Sequence, residues 1–140
     1  MKATPLTDFD KLDDEFLSGA WGERLFERFL GGTRINGHGY DVVAGPKEEK
    51  YEIKSRLIGT DNGDRGPRIT VTYLKVKVAD FLAWVHYDEL GRLVRAWIVP
   101  MSAIRPLYER YKQASGKAHL PWRALIDCPG ARDVTKLLSA

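Results

Sequence analysis

Cysteine is almost absent. Cys128 is the only one in 140 residues, so no internal disulfide can form, and a reducing, cytoplasmic location is the expectation. Long apolar runs are also missing, so no membrane partner is expected. The opening Met1-Lys2-Ala3-Thr4-Pro5 lacks the apolar core of a signal peptide. Histidine is sparse: His86 and His119 have no partner spacing for zinc, and His38 is read as a loop residue. Cys128 sits in the turn Asp127-Cys128-Pro129-Gly130 without a nucleophile signature. Asp61-Asn62-Gly63-Asp64 misses the spacing of a calcium loop, and no glutamate follows at the right place. No internal repeat, low-complexity stretch or linker occurs, which excludes repeat arrays and favours a single domain over 1–140. A strong charge of one sign is lacking too: 22 Lys and Arg against 19 Asp and Glu leave only +3.

What is present is a balanced globular composition. The apolar fraction is 44% and the charged fraction 29%, which argues against disorder. The charge is unevenly placed. Residues 1–30 carry 4 basic and 7 acidic side chains, residues 31–104 carry 11 and 9, and residues 105–140 carry 7 and 3. The basic excess therefore lies in the middle and C-terminal parts, where a phosphate backbone could run.

Thr7 or Asp8 is positioned to cap a short first helix, interrupted by Ser18-Gly19. Residues 21–30 then read as an amphipathic helix. Trp21, Leu25, Phe26, Phe29 and Leu30 form one stripe, Arg24 and Arg28 lie opposite, and Glu23 sits at the edge with Glu27 one step further out. Ile35 is expected to begin an edge strand. The β-branched stretch 68–74 reads as a third strand after the hairpin described below. Residues 75–80 read as a short turn or helical segment. Residues 81–87 and 93–99 read as strands with apolar residues on both faces, hence covered on both sides. Helices are expected over about 102–113, 121–125 and 133–138, with a loop at 114–117. The expected class is α+β (mixed α/β), with a central mixed sheet of about five strands flanked by helices, a core over about 20–100 and a C-terminal helical extension over about 101–140.

The chemistry concentrates in one hairpin. Residues 39–44 and 50–57 read as two strands joined by Gly45-Pro46-Lys47-Glu48-Glu49. The second alternates: Tyr51, Ile53, Ser55 and Leu57 on one face, Glu52, Lys54 and Arg56 on the other. Pairing Ala44 with Tyr51 sets Val43 against Glu52 and Asp41 against Lys54. Two carboxylates and a lysine then converge at one end, as a divalent-metal site requires. Gly37 and Gly39 leave the approach to Asp41 free for positive backbone angles and close contact. Taken alone, the Glu52, Lys54, Arg56 alternation is what any exposed strand face shows.

A helical glutamate, then an aspartate, then Glu-x-Lys in a hairpin resembles the PD-(D/E)XK nuclease superfamily, which includes type II restriction endonucleases and archaeal Holliday-junction resolvases. The matching residues are Glu23 or Glu27, Asp41, Glu52 and Lys54, and the order of elements follows that family over roughly residues 20–100. Tyr40 stands where many members have proline. The resemblance implies a restriction-endonuclease-like core and a Mg²⁺-dependent endodeoxyribonuclease, with Mn²⁺ able to substitute. It implies Asp41, Glu52 and the Ile53 carbonyl as metal ligands, Lys54 and Glu23 as further catalytic groups, and DNA as partner. Arg56, Arg65, Arg68, Lys75 and Lys77 are candidates for a phosphate track. A homodimer is expected, since one short chain offers one site and duplex cleavage needs two cuts. Three other readings stay open: a junction-resolving nuclease, a non-cleaving DNA-binding module of the same fold, and a protein-interaction domain.

Overall fold

A computed structural model of the chain describes residues 14–35, 39–58 and 68–139. The expected first helix near Thr7 and Asp8 lies outside these residues, as do His38 and Arg65. In chain order the elements are α1 (Asp14–Leu30), β1 (Thr33–Arg34), β2 (Val42–Ala44), β3 (Glu49–Leu57), β4 (Arg68–Thr72), α2 (Tyr73–Val78), β5 (Phe81–Tyr87), β6 (Leu93–Pro100), α3 (Met101–Tyr111), β7 (Lys117–Pro121), α4 (Trp122–Ile126), β8 (Arg132–Asp133) and α5 (Thr135–Ser139).

Six strands make the main sheet in the order β1-β2-β3-β5-β6-β8, and β4 pairs with β7 in a separate two-stranded sheet. Every neighbouring pair in the main sheet is antiparallel except β3 and β5. The architecture is thus the expected mixed sheet flanked by helices. Parallel neighbours cannot be joined by a tight turn, so the chain between them must cross over one face. Here β4 and α2 make that crossover. The stretch 68–74 therefore does not continue the hairpin as a third strand of the main sheet. Its strand ends at Thr72, whose hydroxyl accepts from the Lys75 N–H at 3.4 Å and caps α2.

Two apolar layers cover the sheet. Phe26 of α1 packs with Val42, Ala44, Tyr51, Ile53, Ala83, Val85, Ala96 and Ile98 on the first face. Leu82, Trp84 and Val99 on the second face pack under Val71, Val76, Ile104, Leu120 and Leu125. β5 lies between both layers, buried from Leu82 to Tyr87, as its two-sided apolarity requires. In α1, Phe26 is buried while Arg24 and Arg28 are exposed, which matches the stripe read from the sequence.

Several local expectations change. α1 runs through Ser18-Gly19 as one helix. The edge strand is Thr33–Arg34 and stops before Ile35. α3 begins one residue early, after Pro100, with no side-chain cap from Ser102. The expected loop at 114–117 gives way at Lys117 to β7, whose alternation Ala118, Leu120 inward is too short to stand out in the sequence. The C-terminal part is therefore not helical alone: β7 completes the small sheet and β8 extends the large one. Tyr73, which reads as core beside the β-branched residues of 68–74, is 58% exposed at the start of α2.

One glycine governs how α1 meets the sheet. A Cβ on Gly22 would fall on the Ser55 hydroxyl and within 3.3 Å of Val85. The helix sits that close because Gly22 has no side chain. Gly22→Val should lower stability by about 2 kcal/mol through overpacking, read as a lower urea midpoint with unchanged slope. Arg24→Ala, on the exposed side of the same helix, should stay within about 0.5 kcal/mol.

Candidate active site

The hairpin connection is one residue shorter than expected, and the pairing moves by two. β2 ends at Ala44 opposite Glu49, and the Glu48 N–H donates to the Gly45 carbonyl at 3.0 Å. Pro46 at the second position and a left-handed Glu48 (φ 51°) complete a tight turn. The register becomes Val42 against Tyr51, so Asp41 lies level with Glu52 rather than with Lys54. A shift of two leaves the faces unchanged, because side chains alternate with a period of two. Asp41, Glu52 and Lys54 still share one side of the hairpin.

Asp41 enters the site by its backbone and its side chain. Its N–H donates to the Tyr51 carbonyl at 2.8 Å, and its Oδ2 accepts from the Ile53 N–H at 2.8 Å. That N–H sits just beyond the end of β2, so the carboxylate stands in for a missing strand partner. Ile53 is thus tied to the site through its N–H. Gly39 (φ 104°) lies where an added Cβ would come within 3.1 Å of Val78, and its backbone angle would strain any side chain.

Glu52 is the centre of the arrangement. It is 1% exposed and faces α2, on the same side as Leu82. Lys75 of α2 donates to its Oε1 at 2.8 Å, and Lys54 lies 3.2 Å from its Oε2. Burial first, and the Asp41 charge second, push its carboxyl up to about 7 against the pull of both lysines. Glu23 is raised as well, by burial and then by Asp41, and it also feels Lys75. Asp41 is therefore the charge that both glutamates sense. Glu27 is engaged elsewhere: it accepts from the Arg34 N–H at 3.2 Å and lies 3.6 Å from the Arg34 guanidinium. Of the two helical glutamates, Glu23 is the one whose proton affinity Asp41 raises.

The basic residues divide. Lys75 belongs to the Glu52 cluster; the sequence marked it only as part of a phosphate track. Thr72 as cap of α2 was the legible signal, since it places Lys75 in the first turn. Arg56 and Arg68 are exposed side by side, with the Arg56 guanidinium donating to the Arg68 carbonyl at 3.4 Å. Lys77 lies away from them, 5.9 Å from the Tyr73 ring centre.

The resemblance implies Mg²⁺, and the donors suit it: two carboxylates side by side, with hard oxygens and a mutual repulsion that a dication relieves. A cation here would be held by Asp41 and Glu52 with water completing its shell, and it would displace lysine contacts to Glu52. Among the described residues no group of three or more His, Cys, Asp or Glu side chains is clustered to hold a metal ion. Compared with protein-family models the chain matches none, and compared with curated proteins it finds no similar sequence.

The Glu52 shift carries a sign. In the unfolded chain a glutamate titrates near 4.3, and in the fold Glu52 holds its proton to about 7. The fold binds more protons across that window, so Glu52's contribution is intact below the unfolded value and is lost as pH rises through 7. Glu52→Gln should thus gain stability relative to the parent between pH 5 and pH 8, on the order of 2–3 kcal/mol, measured by urea unfolding without metal. A relative loss over that range would mean that the two lysine contacts outweigh burial.

Proposed function

We propose that this chain is a Mg²⁺-dependent endodeoxyribonuclease of the PD-(D/E)XK type, acting as a homodimer. The observation that carries the reading is Glu52: a fully buried glutamate beside Asp41, shared by Lys54 and Lys75. A carboxylate so placed weakens the fold at neutral pH, which is common where a group is kept for chemistry.

A bound Mg²⁺ would polarise the scissile phosphate and acidify an attacking water. Asp41 and Glu52 hold the negative charge that attracts such an ion, and the Ile53 N–H keeps the Asp41 carboxylate turned toward β3. Lys54, 36% exposed, is free at its outer side to hold the water and to meet the charge that grows on the phosphate oxygens. Glu23, its own affinity for protons raised, would accept one from that water or position it. Arg56 and Arg68 would steer the backbone toward Lys54 without reading bases.

A second reading has its own support. Both Glu52 oxygens are taken by lysines and one Asp41 oxygen by a backbone N–H. A module that binds DNA and does not cut could keep such a closed charge cluster to hold Lys54 and Lys75 in place for phosphate contacts. Supercoiled plasmid separates the two. With Mg²⁺ the parent should nick it, and Asp41→Ala and Lys54→Ala should each lower the rate by at least ~100-fold while DNA binding persists. Salt-sensitive binding with no cleavage in Mg²⁺ or Mn²⁺ would favour the module, and no binding at low salt would sink both. Faster cutting of a four-way junction than of linear duplex would assign the resolving activity.

A further inference from the structure

Next to Lys54 the second face of the sheet holds a cavity of about 140 Å³ lined by Lys54, Arg56, Arg68, Thr70, Trp84 and His86. The parallel register sets Lys54 beside Trp84 and Arg56 beside His86, and β4 supplies Arg68 and Thr70. At about 30 Å³ for each water, the space takes several waters or one compact anion.

The polar groups of the lining are unbalanced. Trp84 and His86 are both fully buried, and the Trp84 Nε1 and the His86 Nε2 have no hydrogen-bond partner among the described residues. The tautomer of His86 follows from its neighbour. Arg95 can only donate, and its Nη1 lies 2.9 Å from the His86 Nδ1, so Nδ1 accepts and the ring proton is on Nε2. Burial first, then the Arg95 and Arg56 charges, push this ring down to about 3, which keeps it neutral. Both orphan atoms are therefore N–H donors. Apart from the hydroxyls of Ser55 and Thr70, every polar side chain lining the cavity is a donor, and the Thr70 hydroxyl is already paired with the His119 ring at 2.7 Å. The Arg68 and His119 carbonyls are engaged by Arg56 and Arg68. Buried donors without acceptors are rare in native proteins and ask for a missing partner. Water serves poorly, because its own hydrogens would find few acceptors. An anion rich in oxygen acceptors answers two neutral donors and three cations together.

We infer that this cavity is a phosphate subsite: the Trp84 and His86 N–H groups, with Lys54, Arg56 and Arg68, hold a phosphate group next to Glu52. Arg95 is a positioning residue that fixes the His86 tautomer. The subsite stands on its own donors; it rests on the nuclease reading only for the source of the phosphate, which is either an internal phosphodiester or a terminal phosphomonoester of DNA.

Inorganic phosphate titrated into metal-free protein, followed by NMR of the Trp84 indole and His86 ring N–H signals, tests it. Saturable shifts of both signals are expected, and Arg56→Ala, at an exposed position, should weaken binding about tenfold, the value of one charge-assisted hydrogen bond. Absence of saturation, or shifts confined to other residues, would overturn the subsite. A short single strand with and without a 5′-phosphate then identifies the source. Tighter binding of the phosphorylated strand, lost in Arg56→Ala, assigns a terminal phosphate; equal shifts with both assign an internal one. If inorganic phosphate shifts the two signals and neither strand does, the subsite stands and the nuclease reading fails.

Discussion

A carboxylate without water is unstable as an ion, and Glu52 is one. What keeps it in place is a pair of ammonium groups arriving from two directions, Lys54 along its own strand and Lys75 from the helix above. The second of these depends on the parallel pairing of β3 and β5. That pairing sends the chain over the second face, and the crossing chain delivers α2 and its Lys75. The same pairing aligns Lys54 with Trp84 and Arg56 with His86. One register thus fixes both the charged cluster and the donor-lined cavity beside it.

The sheet's two faces have different tasks. The first is apolar apart from Ser55 and seats α1. The second is apolar where β5 and β6 meet α3, and becomes charged along β3, where Glu52, Lys54 and Arg56 alternate. β2 is short, so β3 beyond Tyr51 has no strand neighbour on that side among the described residues. Asp41 closes part of this notch with its bond to Ile53, and Glu23 senses Asp41 from the helix on the other face.

Much of this could be read from the sequence because it depends on local periodicity. Alternation in 51–57, two-sided apolarity in 81–87 and the stripe of 21–30 each follow from a repeat of about two or 3.6 residues. The hairpin register was off by two because turn length depends on the backbone angles of Gly45 and Glu48, yet the side of each residue survived because the error was even. What depended on distant partners was not legible. β4 looks like a sheet continuation, and only β7, some fifty residues on, decides otherwise. Gly22 shows its reason only against Ser55. Trp84 reads as plain core, and that its indole N–H has no partner among the described residues depends on neighbours distant in the sequence.

The crossover has a mechanical meaning. β4 and α2 are spliced in sequence between the two strands whose side chains they cover. The cover is therefore tied through the chain at both ends to the surface beneath it. Its docking over Glu52 is an intramolecular event, so the shielding of that carboxylate does not depend on the protein's concentration.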